Sequence, residues 1–285
     1  MRPSSRRPYA SLGDFSLGTS SADTQQSSGE KRGAMFRPGC EAVESAILAL
    51  DMASTAASGP IRAVLFDLDG TLVDSVEAIV AGLGDTFERY VGTRPSREQL
   101  IGLVGLPLRQ QVIVLDPIPP EEEAILERIR FAETKFAEYS HLETVYPYTR
   151  EILELCRRSG TPTAIVTSKT RTEFDAFRSR HSWVEAVDAV VCSTDVERGK
   201  PAPDSALRAR SLLGAEAGRV VLVGDSTYDV ACARAAGCEA WAVAYGAGDR
   251  RSLEATTPDR LLDRPKELLE ELQQAIHACP CHVRS

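Results

Sequence analysis

The sequence predicts an α/β protein: a parallel sheet covered by helices on both faces, with a second, all-helical part inserted into it. Three observations predict this. From residue 61 onward, apolar runs of strand length alternate with helix-like segments, which argues for a parallel sheet buried on both sides. The alternation breaks once, across residues 76–146, where helix-like stretches follow one another with no convincing strand between them. Several strand-like runs end in carboxylates, hydroxyls or a lysine, at the sheet edge where open α/β folds bind ligands.

The elements follow in order. Residues 1–34 are rich in Ser, Gly, Arg and Gln and poor in apolar residues, a composition that does not build a core. Arg2, Arg6 and Arg7 hint at a transit peptide, but Asp14, Asp23 and Glu30 break the acid-poor pattern and no secretory apolar core follows. Cys40–Met52 reads as one helix, and a start at Met35 or Met52 would bring the first strand close to the N-terminus. Residues 1–59 are therefore expected to be a poorly ordered extension. Ile61–Phe66 is the first strand. Helices are expected over Val76–Tyr90, Arg97–Val104, Leu108–Leu115 and Glu121–Tyr139, with Pro117, Pro119 and Pro120 interrupting the chain before the last. These four would form a lid above the carboxyl end of the first strand.

The alternation then resumes. Thr163–Val166, Val187–Cys192, Arg219–Val223 and Glu239–Ala244 read as strands, and Thr172–Ser179, Pro203–Leu213 and Thr227–Ala236 as helices. Gly160 and Gly237 fall where helix C-caps belong, and Pro265–Ile276 has helical spacing with proline in its first turn. The expected organisation is a core domain of residues 60–75 and 147–277, a helical cap domain of residues 76–146 and a flexible tail of residues 278–285.

Composition narrows the partners. A formal net charge of -8 and a pI near 5.2 argue against a nucleic-acid surface. No apolar run approaches the roughly 18 residues of a membrane span; Val43–Leu50 is short and broken by Glu44. A cytoplasmic protein, monomeric or homodimeric, is expected. Seven cysteines make an odd number, and Cys156, Cys192, Cys232 and Cys238 sit in apolar segments, a pattern of buried hydrophobes in a reducing compartment and not of disulfides. Cys279-Pro280-Cys281-His282 has the look of a metal-site fragment but lacks a second pair of ligands at matching spacing.

Four strand ends carry the chemistry. Phe66-Asp67-Leu68-Asp69-Gly70-Thr71 places two carboxylates directly after a buried strand, and two anions this close repel unless a cation or proton stands between them. Ala164-Ile165-Val166-Thr167-Ser168-Lys169 ends in hydroxyls and a lysine, Gly199-Lys200-Pro201 presents a cation before a helix, and Val223-Gly224-Asp225-Ser226-Thr227-Tyr228-Asp229 offers carboxylates four apart. Together these suit phosphoryl transfer through a carboxylate. Asp67 would attack phosphorus and form an aspartyl-phosphate. Mg²⁺ held by Asp67, Asp69 (through its main-chain carbonyl) and Asp225 would let an anion approach an anion. Thr167, Ser168 and Lys200 would take phosphoryl charge, Asp69 would act as acid and then base, and Asp229 would orient Lys200 or a metal-bound water from behind, with Thr71 beside it.

These segments resemble the four motifs of the haloacid dehalogenase superfamily: Asp67-Leu68-Asp69-Gly70-Thr71 the first, Thr167 the second, Lys200 the third and Gly224-Asp225-Ser226-Thr227-Tyr228-Asp229 the fourth. The resemblance spans residues 60–275 and implies a Rossmann-like core, Mg²⁺ dependence and a helical cap after the first motif. Tyr146-Pro147, Thr167-Ser168-Lys169, Gly199-Lys200-Pro201-Ala202-Pro203-Asp204 and Ala244-Tyr245-Gly246 are most similar to the phosphoglycolate phosphatase group. The implied substrate is a small phosphorylated metabolite, 2-phosphoglycolate first, with pyrophosphate, a sugar phosphate, a nucleotide or a phosphomutase reaction as alternatives. Asp69 argues against the dehalogenase branch, which lacks that acid, and the complete set of chemical positions argues against a non-catalytic relative.

Two positions depart from the group's pattern. Tyr148 stands where glycine is usual, at the return from the cap, and Ser168 stands where asparagine is frequent. Within the cap, Arg109 is the candidate for a second anionic group on the substrate, with a solvated helix arginine as the alternative. Glu121, Glu122, Glu123 and Glu127 read as a solvated helix N-terminus, His141 as a structural or surface histidine, and Tyr90 and Tyr139 as packing residues.

Overall fold

Ile61–Phe66 (β1) forms a strand because every residue but Arg62 is apolar and buried, so it fits only the middle of a two-faced sheet. The computed structural model describes residues 59–116 and 120–277, the side chain of His277 excepted. The expectations for the N-terminal extension, for Cys40–Met52, for Pro117 and Pro119 and for Cys279–His282 lie outside those residues.

In chain order the elements after β1 are β2 (Val73–Asp74), α1 (Val76–Val91), α2 (Arg97–Ile101), α3 (Leu108–Gln111), α4 (Glu122–Glu138), β3 (Thr144–Val145), α5 (Thr149–Ser159), β4 (Thr163–Val166), α6 (Arg171–Arg178), β5 (Ala189–Val191), α7 (Asp204–Leu212), β6 (Arg219–Gly224), α8 (Thr227–Ala235), β7 (Glu239–Val243), α9 (Arg250–Ala255), β8 (Arg260–Leu262) and α10 (Pro265–His277). Six strands form one parallel sheet in the order β5-β4-β1-β6-β7-β8. β1 lies inside it, between β4 and β6.

Alternation along β1 divides the core. Val64 and Phe66 join Ile152, Leu153, Phe174, Phe177, Leu268 and Leu272 of α5, α6 and α10 on one face. Ala63 and Leu65 join Ala206, Ala209, Val230 and Ala233 of α7 and α8 on the other. Large side chains fill the first layer, and alanines let the helices of the second approach closely. Truncating the fully buried Phe66 to alanine would cost about 3–5 kcal/mol.

The expected α/β class and helical interruption are both present. α1 to α4 build an apolar cluster of their own from Ile79, Leu83, Phe87, Leu100, Leu103, Val104, Leu106, Leu108, Val112, Ile125 and Ala132, against which Tyr228 and Ala247 pack. Tyr90 donates to Glu127 and meets Phe131 edge-on, and Tyr139 donates to Asp85, so both pack half-buried against this layer. Among the described residues no helix is long and apolar enough to cross a membrane.

Several elements differ from expectation. β2 and β3 pair antiparallel, with Val73 opposite Val145 and Asp74 opposite Thr144; two residues are too few to show alternation. β8, a three-residue edge strand, was hidden for the same reason. The α2 and α3 helices stop at Ile101 and Gln111, short of Val104 and Leu115, in tight turns such as those closed by Leu103 N–H to Leu100 and Val104 N–H to Ile101. α9 has no counterpart in the expectations and α5 only its C-cap; Gly160 and Gly237 do take the left-handed conformation after α5 and α8.

Candidate active site

The site grows from the carboxyl end of β1. Asp67 N–H still donates to Val223 of β6 at 2.8 Å, so its side chain is fixed at the sheet edge and only 4% exposed. Lys200 enters from the loop before α7 and donates to Asp67 Oδ1 and Asp229 Oδ1, both at 2.6 Å. Asp229 holds this position because it also caps α8: its Oδ2 accepts from Ser226 N–H at 3.0 Å in a reciprocal capping box. Asp225, one residue past β6, completes the cluster. Oxygens of Asp67, Asp225 and Asp229 all lie within 4.8 Å of one another.

Electrostatics shows what such a cluster costs. Three buried carboxylates face one ammonium, an arrangement that burial penalises strongly. Desolvation pushes the Asp67 pKa up to about 7, against the opposing pull of Lys200. Burial, with Asp67 and Asp229 adding repulsion, raises Asp225 well above the usual carboxylate range. Burial alone would lower the Lys200 pKa, but Asp229 and Asp67 override it and raise it. Asp225 Oδ2 accepts from Ala247 N–H at 2.7 Å, whereas its Oδ1 is buried with no hydrogen-bond partner among the described residues. An orphaned oxygen among clustered carboxylates is what a hard divalent cation such as Mg²⁺ requires.

Gly70 makes the approach possible. Its φ of +79° belongs to the left-handed region, and a Cβ there would fall within the Asp225 carboxylate. The turn thus brings the Asp67–Thr71 loop directly against β6.

The two carboxylates of the first loop separate. Asp67 joins the cluster, while the Asp69 side chain turns away: its Oδ1 accepts from Ser75 Oγ at 2.6 Å and lies 3.0 Å from Lys169 Nζ. The Asp69 carboxylate thus stands outside the cluster, and the main-chain carbonyl remains the Asp69 group expected to face a metal. Thr167 is buried, and its Oγ1 accepts from Lys169 N–H at 3.1 Å. Ser168 Oγ instead donates to Gly105 of the helical segment at 2.7 Å, which spends its one proton on joining the two layers. The Thr71 hydroxyl is buried without a partner among the described residues.

A narrow, partly open cleft lies between this floor and the helices. Asp67, Asp69, Ser168, Lys169 and Glu173 line it from the sheet side, and Ile79, Gly105, Leu106, Leu108, Gln111 and Phe136 from the helical side. Arg109 is not among them. Its guanidinium forks onto Glu122, with one N–O distance of 2.8 Å, and both side chains are exposed; on a helix, the residue next to Leu108 faces away from the wall that Leu108 forms. His141 sits on a turn after α4 with its ring Nδ1 against the Glu138 carbonyl, away from the cleft.

Lys169, Gln111 and Glu173 are cleft residues that motif reasoning passed over. Lys169 had a signal, a cation immediately after the strand-end hydroxyls. Gln111 had none, because its burial depends on the return to Leu106, whose carbonyl it binds at 2.8 Å. Glu173 reads from sequence as the capping-box partner of Thr170, which it also is.

A family model described as haloacid dehalogenase-like hydrolase matches residues 64–243, a span that runs from β1 through the helical segment to β7. The pyrophosphatase PpaX of Bacillus cereus is 32% identical over 218 residues, covering 73% of this chain and 95% of that protein. Among solved structures, a haloacid dehalogenase-like family hydrolase from Streptococcus pneumoniae superposes with a TM-score of 0.64 at 24% identity, covering 75% of this chain and 99% of the other. A predicted phosphoglycolate phosphatase from Haemophilus somnus gives 0.63 at 20% identity, with 74% and 97% covered. With matched residues from Val64 to Val243, and the carboxylate cluster assembled at the edge of a parallel sheet, the chain belongs to the haloacid dehalogenase-like hydrolase family.

Proposed function

We propose that this protein is a Mg²⁺-dependent phosphatase that cleaves a small phosphate compound through an aspartyl-phosphate on Asp67. The observation that carries the reading is the Asp67 carboxylate, buried beside Asp225 and held by Lys200 at 2.6 Å, with a second carboxylate, Asp69, in the same cleft but turned out of the cluster. One group is placed to attack and the other to move protons.

In this reading an Asp67 oxygen bonds to phosphorus as the bond to the leaving oxygen breaks, and Asp69 gives that oxygen its proton. Water then attacks the same phosphorus, Asp69 takes the water proton, the Asp67–phosphorus bond breaks and orthophosphate leaves. Lys200 holds Asp67 Oδ1 in place and stabilises the phosphoryl charge. Thr167, fixed at the end of β4, offers its hydroxyl to that charge. Mg²⁺ held by Asp67, Asp225 and the Asp69 carbonyl would neutralise the repulsion between carboxylate and phosphate. The helices between β2 and β3 act as the cap that keeps bulk water from the intermediate, with the remaining described residues as the core.

Two substrates fit. The local patterns similar to phosphoglycolate phosphatases favour 2-phosphoglycolate. The relatives at 32% identity that carry the name pyrophosphatase favour pyrophosphate. Both are small phosphate compounds with a second anionic group. Four buried, unpaired cysteines suit a cytoplasmic setting.

The test is a panel of phosphorylated metabolites, with pyrophosphate and an aryl phosphate, assayed with Mg²⁺ and with a chelator. Orthophosphate release that needs Mg²⁺ and falls on the order of a thousandfold or more in Asp67→Asn is expected. Turnover by Asp67→Asn at the wild-type rate would falsify the nucleophile assignment.

A further inference from the structure

Lys169 is the one cationic side chain among the residues lining the cleft. Lys200 lies beneath, held between Asp67 and Asp229, and Arg109 is committed to Glu122 outside. The Lys169 ammonium is 11% exposed at the side chain and 3.0 Å from Asp69 Oδ1. Glu173 lines the same cleft on the sheet side. The neighbours of Lys169 on the wall are the Gln111 amide and the apolar Ile79, Leu106, Leu108 and Phe136, which offer an anion no other countercharge.

We propose that Lys169 is the specificity residue of the cleft, receiving the second anionic group of the substrate while Asp67 receives the phosphoryl group. The assignment rests on the phosphatase reading and deepens it: the favoured substrates are small phosphate esters or anhydrides whose second anion, carboxylate or phosphate, lies a few bonds from phosphorus. A lysine suits this task because its ammonium is a point charge on a flexible stem, able to pass from Asp69 to an arriving anion without moving the backbone. The ion pair with Asp69 is then the resting state of the empty cleft. A second anion displaces it, and a substrate without one leaves it in place.

The experiment measures kcat and KM for 2-phosphoglycolate, pyrophosphate and p-nitrophenyl phosphate in wild type, Lys169→Gln and Lys169→Arg, all with Mg²⁺. A charge-assisted contact of ordinary strength predicts that Lys169→Gln raises KM for the preferred two-anion substrate about 10- to 100-fold more than for the aryl phosphate. Lys169→Arg should recover a large part of the difference. Whether the carboxylate or the phosphate substrate shows the larger effect identifies the natural second anion. Equal losses on all three substrates would mean that Lys169 acts only by positioning Asp69 and would overturn the proposal, as would no loss on any.

Absence of Mg²⁺-dependent turnover in wild type would instead defeat the phosphatase reading. Lys169 is then judged by calorimetry with pyrophosphate and orthophosphate. A preference for pyrophosphate that disappears in Lys169→Gln keeps the anion-binding assignment, and equal preference in both proteins removes it.

Discussion

Asp67 and Asp225 illustrate what a single buried carboxylate costs and what it supplies. The folded Asp67 pKa of about 7 lies above the ordinary 3.8, so without metal the folded chain holds the proton more tightly than the unfolded one. That contribution to stability is complete below about pH 4 and is lost as pH rises through about 7. Replacing Asp67 with asparagine removes the titration. The melting temperature of metal-free Asp67→Asn, relative to wild type, should therefore climb between about pH 4 and about pH 7; a difference constant with pH would contradict the burial argument. Added Mg²⁺ should stabilise wild type at the upper end of that range and affect Asp67→Asn less.

Gly70 gives a second residue-scale prediction. Gly70→Ala should lose stability by more than about 1 kcal/mol, from the left-handed backbone alone, and should also lose Mg²⁺-dependent activity because the added methyl displaces Asp225. A variant that folds and responds to Mg²⁺ like wild type would show that the Asp225 carboxylate is not the metal ligand. Arg109→Ala, by contrast, removes an exposed ion pair outside the cleft and should change KM for any substrate by less than about twofold. Here sequence and structure part. A cap arginine is a sound candidate for an anion site until its helix phase is known, and the phase points it to Glu122.

At the scale of elements, β2 and β3 join the two ends of the helical segment to the first loop. Tyr146 N–H donates to the Leu72 carbonyl at 3.1 Å and Thr149 Oγ1 to the same oxygen at 3.0 Å. The Tyr146 and Tyr245 rings meet edge-on at 4.8 Å, and Tyr245 donates to the Thr71 carbonyl at 3.0 Å. Motion at this joint would thus be felt in the Asp67–Thr71 loop. Tyr148, singled out from sequence as standing where glycine is usual, has φ +69° at the start of α5 and is 37% exposed. An L-residue in that conformation costs about 1–2 kcal/mol, of which glycine's greater freedom in the unfolded chain returns about half. Tyr148→Gly should raise stability by up to about 1 kcal/mol; a clear loss in thermal melts would show that the tyrosine ring packs usefully despite its exposure.

Long apolar elements were legible because burial on both faces leaves a continuous pattern: Ile61–Phe66 and Thr163–Val166 appear at the ends expected. β2, β3 and β8 were not, since a two- or three-residue strand is defined by its partner and not by its own composition.

At the scale of the whole molecule, the site was legible to the extent that it is built from strand ends. Parallel strands bring all their carboxyl ends to one edge, so Asp67, Thr167 and Asp225 all follow strands that end there. Lys200 follows from the hydrophobic placement of α7, which carries Ala206 and Ala209 into the second core layer. The cap side of the cleft was not legible in this way. Leu108, Gln111 and Phe136 line it beside the docking of Gly105 against Ser168 and Tyr228, where φ +93° strains any other residue and a Cβ would press on Ser226. Which residues line the cleft is thus a property of how two layers meet, and that contact has no counterpart in local periodicity.

The central claim is that Asp67 carries the phosphoryl group. It is tested most directly by mixing the protein with Mg²⁺ and substrate, quenching in acid within the first turnover, and weighing the peptides. The peptide containing Asp67 should gain the mass of one phosphoryl group, with the label absent in Asp67→Asn. Phosphate released in the first turnover with that peptide unmodified, or the added mass on a different peptide, would contradict the account.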